Sequence, residues 1–152
     1  MKAVKQGQLE CYPATCAAFA GRPLADILRE AAHAAGIEDW CGEPGEWAYK
    51  IWRKEQVCDV AFRYLRDKYT PWLAMDFLVH GLNSGAVGGE NILPPGRGVV
   101  GFQIPHGGRH ILPYADGLLH VSDTDQPDTM TLAEYVAATG FIMETIQPEP
   151  SI

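Results

Sequence analysis

The sequence predicts an α+β fold, with N-terminal helices packed on a small antiparallel sheet and all of residues 1–152 in one domain. Two observations carry this expectation. Before about Gly81, apolar residues recur mostly at helical spacing; after it, short apolar runs are separated by glycine-bearing turns. Strands and helices do not alternate in the way that builds a parallel sheet.

Each element has its own reason. Pro13 to Ala20 opens the helical half, because proline suits a first turn where its missing N–H would have no partner. Leu24 to Ala35 sets Leu24, Ile27, Leu28 and Ala31 on one face, and Gly36 is placed to cap it. Asp39 to Glu46 reads as loop. Glu46 to Tyr69 reads as one helix with Trp47, Ile51, Val57, Ala61, Tyr64 and Leu65 as its apolar positions. Pro71 precedes a further helix over Trp72 to Leu82, and the glycine- and proline-rich stretch Asn83 to Gly98 breaks the pattern. Val99 to Ile104, His110 to Tyr114 and Leu118 to Val121 are then three strands of a meander, turned at Gly107-Gly108 and Asp116-Gly117. Thr131 to Ala138 is a short helix in which Thr131 and Glu134 have capping-box spacing, and Phe141 to Ile146 adds a last strand.

Composition excludes several classes of function. Hydrophobic residues make up 47% and charged residues 20%, the balance of an ordinary soluble domain. A net charge of -7 and a pI of about 5.1 argue against nucleic acid as a partner, since neutralising phosphates needs a basic patch. No apolar run is long enough for membrane insertion. The residues after Met1 and Lys2 form no apolar signal core, so a cytoplasmic location, or delivery without a classical signal peptide, is expected. Cys11, Cys16, Cys41 and Cys58 are expected to be reduced. With no Cys-x-x-Cys or His-x-x-x-His pair, no Walker spacing in Gly85 to Gly98 and no calcium-loop spacing in Asp123 to Asp128, no metal and no cofactor is expected.

The chemistry concentrates on a thiol and an imidazole. Pro13 places Cys11 at the opening of the first helix, where unpaired N–H groups and the helix dipole favour a thiolate. Gln6 and Gln8 stand upstream as candidate oxyanion donors, beside the Cys11 amide. His110 begins the middle strand of the meander and Asp123 follows the next, so the two can face each other across the hairpin, the carboxylate holding the imidazole tautomer. The other histidines read as bland: His33 and His80 as surface or cap residues, His106 as solvated in a turn, His120 as facing water. The four tryptophans between Trp40 and Trp72 read as core, with Trp40 able to flank a groove.

The run Gln6-Gly7-Gln8-Leu9-Glu10-Cys11-Tyr12-Pro13-Ala14 resembles the N-terminal motif of C39-type peptidases, the bacteriocin-processing branch of the papain-like superfamily. Gly108 to Asp123 looks like that family's histidine strand, turn and aspartate, and Met130 to Tyr135 like the helix that follows. The resemblance implies a papain-like fold and a cysteine peptidase or amidase acting on a peptide or protein through a thioester, with Cys11 as nucleophile, His110 as base, Asp123 as orienter and Gln6 as oxyanion donor. The chain departs from the motif twice. Tyr12 stands where glycine is usual, putting bulk beside the nucleophile, and Gln6 sits about one residue too close, which leaves Gln8 as a second candidate.

Two other readings use the same residues. Cys16-Ala17-Ala18-Phe19, with Pro95 to Val100 and His110, is similar to NlpC/P60 peptidoglycan hydrolases, which would make Cys16 the nucleophile, although Arg97 and Thr15 replace aspartates of that pattern. A catalytically inactive papain-like domain that binds a peptide is the third, motivated by Tyr12.

Overall fold

The computed structural model describes residues 1–7, 9–43, 45–74 and 92–150. Helix α1 (Cys11–Ala20) is apolar nearly all round, and Tyr12 to Ala18 are all buried, as a helix enclosed by other elements requires. Helix α2 (Leu24–Ala34) buries Ile27, Leu28, Ala31 and Ala32. It ends in a Schellman arrangement: Gly36 takes a left-handed φ of 83°, its N–H reaches the His33 carbonyl and the Ile37 N–H reaches that of Ala32.

The long helix expected over Glu46 to Tyr69 is two pieces. A π turn (Ala48–Trp52) is followed by an extended residue, Lys54 (φ -109°, ψ 97°), and then by helix α3 (Glu55–Tyr69). The break is not written in the apolar spacing: Trp47, Ile51, Ala61, Phe62 and Leu65, all buried, would fall on one face of a continuous helix as well. Pro71 and Trp72 lie in a turn, and Leu73 and Ala74 do not start a helix; the remainder of the helix expected up to Leu82, most of the Asn83 to Gly98 loop, and His80 lie outside the described residues.

The sheet contains β1 (Arg97–Gln103), β2 (Arg109–Ala115), β3 (Leu118–His120), β4 (Thr129–Met130) and β5 (Ile142–Pro148) in the order β4-β3-β2-β1-β5, with every pairing antiparallel. Strand β4, only two residues long, shows no periodicity in the sequence. Asp116 (φ 54°) and Gly117 (φ 83°) both take the left-handed conformation that a tight β2–β3 hairpin demands. Between β4 and β5, helix α4 (Leu132–Thr139) carries both bonds of the capping box: the Glu134 N–H to Thr131 Oγ1 at 3.1 Å and the Thr131 N–H to Glu134 Oε1 at 3.0 Å.

The sheet is covered on both faces. Val99 and Ile111 join the core formed with α1, α2 and α3. Val100, Phe102, Leu112 and Tyr114, offset by one along the same strands, join Leu132 and Tyr135 of α4 in a second core. His120 does not face water as expected; it is 8% exposed, within reach of the chain's N-terminus and of Ala115 and Asp116 in the β2–β3 turn. Among the described residues no helix is long and apolar enough to cross a membrane.

Candidate active site

The N-terminus of α1 meets β2 at one end of the sheet, and the predicted site residues converge there. Cys11 is the first residue of α1, half-buried, on a turn whose N–H groups have no helical partners. His110, 7% exposed, is the second residue of β2. The β2–β3 register pairs Ala115 with Leu118 and Tyr114 with Leu119; carried four residues further, it sets Asp123 opposite His110. Asp123 Oδ1 lies 2.9 Å from His110 Nε2, within ion-pair range though off the line of the ring N–H. With Nε2 turned to Asp123, Nδ1 is left for the Cys11 thiol.

The electrostatics follow from these contacts. Burial pushes the Cys11 thiol up, but hydrogen bonding to His110, the imidazolium charge, and the amides of Ile111 and Tyr12 outweigh it, so the net effect is a thiol held below its ordinary value. Burial alone would discharge His110. The Asp123 carboxylate 2.9 Å away and the Cys11 thiol on the other side instead hold the imidazolium well above its usual range. Burial also works against Asp123, yet the close His110 imidazolium and hydrogen bonds from Tyr135 and Gln6 keep its carboxylate below the normal range. All three shifts favour a thiolate–imidazolium pair near neutrality.

Gln6 lines the same cleft, a space of about 700 Å³ that also holds Cys11, His110 and Asp123. Its Oε1 accepts the Glu10 N–H at 3.1 Å, and its Nε2 lies 3.4 Å from Ser122 Oγ, a long bond that exchanges at little cost. Gln8, the other candidate, lies outside the described residues.

Cys16 is fully buried in the helical core, and burial pushes its thiol up to about 12, against a smaller opposing hydrogen bond from Tyr12. It does not line the cleft of His110. Tyr12 is buried too: its hydroxyl meets Thr70 Oγ1 at 2.6 Å and its ring stands edge-on to Phe62. The bulk beside Cys11 therefore points into the core, away from the cleft. All four cysteines are free, and Cys41, which composition suggests as apolar filler, is exposed, with its thiol on Glu46 Oε1 at 2.9 Å. Among the described residues no group of His, Cys, Asp and Glu could hold a metal ion.

Sequence reasoning missed several contributors. Tyr135 donates its hydroxyl to Asp123 Oδ2, and Phe141 stands edge-on to His110 with ring centres 6.0 Å apart. Trp52, grouped above with the core, lines the cleft and is 37% exposed, while Trp40 packs edge-on to Trp47. Glu10 is 7% exposed and accepts the Gly7 N–H at 2.6 Å. The acidic residue before the cysteine was visible in the motif; the others depend on how α4 and the π turn dock, which no local spacing encodes. Compared with known proteins, the chain matches no family model, no curated protein and no solved structure.

Proposed function

We propose that the chain is a papain-like cysteine peptidase or amidase that cleaves a peptide or isopeptide bond. The observation that supports this reading best is the Cys11–His110–Asp123 alignment, with the thiol on the first turn of a buried helix and the imidazole between it and a carboxylate.

The chemistry needs only substrate and water. The Cys11 thiolate attacks the carbonyl carbon, a C–S bond forms, and the carbonyl electrons move to oxygen. The Cys11 N–H and the Gln6 side-chain amide donate to that oxyanion, Gln6 by redirecting an amide that otherwise serves Ser122 and the Asp123 carboxylate. His110 passes its proton to the departing nitrogen as the C–N bond breaks, leaving a thioester. His110 then takes a proton from the water that attacks the thioester, the C–S bond breaks, and the thiolate and imidazolium are restored. Asp123 keeps its charge throughout and holds the ring.

Mapping of alkylated cysteines by mass spectrometry tests the site. Iodoacetamide at neutral pH should label Cys11 faster than a free cysteine, His110→Ala should remove that advantage, and Cys11→Ala should abolish cleavage of a peptide mixture. Labelling of Cys11 at the rate of an ordinary thiol would overturn the proposal.

A further inference from the structure

The cleft has two banks. From the sheet side come Ile104 after β1 and Phe141 before β5; from the helical side come Leu9, just before the nucleophile, and Trp52 of the π turn. Leu9 and Trp52 are large apolar residues left 38% and 37% exposed in a chain that buries its other tryptophans more fully. Leu9 also takes a left-handed φ of 59°, a conformation that suits glycine and is unfavourable for a side chain of this size. Such a residue persists only where its surroundings over-determine it.

The surroundings here are identifiable. The buried Glu10 carboxylate grips the Gly7 N–H at 2.6 Å, while the Glu10 N–H is held by Gln6 Oε1 at 3.1 Å. A Cβ on Gly7 would come within 2.6 Å of Glu10 Oε1, so the closeness of this tie depends on glycine. The segment before α1 is thus clamped at both sides of Leu9, which keeps a strained, partly bare leucine at the edge of the cleft beside Cys11.

Resting on the hydrolase reading, we infer that Leu9 and Trp52 form an apolar seat for a bulky aliphatic or aromatic substrate residue next to the scissile bond. A seat of this kind selects by the apolar area it covers, which is worth roughly tenfold or more in kcat/KM between a large and a small side chain. It sets the substrate class as peptides with a large apolar residue at the cut, and it explains why the chain tolerates strain at this one position.

The test is digestion of a peptide mixture varied on both sides of the cut, with products identified by mass spectrometry, using the full chain, Leu9→Gly and Cys11→Ala. Cuts by the unaltered protein should cluster beside leucine, phenylalanine and similar residues. Leu9→Gly removes the side chain and relieves the backbone, so its Tm should hold or rise. Its preference for a bulky residue over alanine should nevertheless fall about tenfold, mainly through KM. Cutting that depends on Cys11 but shows no preference for large apolar residues, or a preference that Leu9→Gly leaves intact, would overturn this inference alone. The absence of any cut that Cys11→Ala abolishes would overturn the hydrolase reading and this inference together.

Discussion

The Tyr135 hydroxyl donates to the Asp123 carboxylate oxygen that does not face His110. A side chain of α4 thereby extends the line Cys11–His110–Asp123 by one member, on a buried residue whose ring also packs against Phe102 and Phe141. Burial, and then the same carboxylate, push the Tyr135 phenol far above its ordinary value, so it stays a donor at every working pH.

Tyr135→Phe keeps the ring and deletes the donor. The Asp123 carboxylate then loses one of the hydrogen bonds that hold its pKa down, protonates at higher pH, and releases His110 sooner on acidification. The acid limb of kcat/KM should move to higher pH, with a loss of about tenfold near the optimum, in line with removing a hydrogen bond to a charged group. A merely structural role would lower Tm without moving the profile.

Cys16→Ala separates the two candidate nucleophiles. Cys16 has no exposure and no contact with the cleft, so its removal leaves a small void worth about 1 kcal/mol of stability. Alkylation of Cys11 and any peptide cleavage should persist within about twofold of the unaltered protein. Loss of cleavage with Cys11 still labelled would point back to Cys16.

The His110–Asp123 pair was legible because the hairpin carries its own register. Asp116-Gly117 dictates a two-residue turn, and a strand pair with a fixed turn sets every opposite position that follows. Cys11 was legible through Pro13, which marks a helix start whatever packs around it. Tyr135 entered only as the end of the run Met130 to Tyr135 that resembles the helix after the aspartate; that its hydroxyl reaches Asp123 depends on how the helix lies on the sheet. The break at Lys54 left no mark in the apolar spacing, because the buried positions on either side of it stay in phase with one continuous helix over Glu46 to Tyr69. Trp52 belongs to the π turn on the near side of that break, and with the turn unforeseen its place in the cleft was unforeseen as well.

Glu10 offers a test of the clamp before α1. Burial, opposed by the Gly7 N–H, raises its carboxyl above the usual range, so its charge is the dispensable part and its acceptor oxygen the necessary one. Glu10→Gln retains an acceptor and should stay close to the unaltered protein in Tm. Glu10→Ala strands the Gly7 N–H and should cost about 1–3 kcal/mol in denaturant unfolding. Equal destabilisation by both variants would mean that the charge itself is needed.

A last prediction concerns the joint between α2 and α3. Glu30 on α2 accepts hydrogen bonds from Tyr64, Lys68 and Tyr69 of α3, at 2.9, 2.5 and 3.0 Å, and pairs with Arg22. Burial works against its charge, but the donors from Lys68, Tyr64, Arg22 and Tyr69 prevail and hold the carboxyl down at about 2. A carboxyl whose folded pKa lies below its unfolded value of about 4.3 stabilises the fold above that pH, and the benefit fades as pH falls toward the folded value. Glu30→Gln should therefore have a lower Tm than the unaltered protein at pH 7. The gap should narrow between about pH 4 and pH 2, because in that window the unaltered protein loses the same charge. Thermal melts of the two proteins at matched ionic strength check this. A gap that stays constant from neutral to acid would show that the contribution of Glu30 lies in its packing and neutral hydrogen bonds, with its charge adding nothing to the hold of α2 on α3.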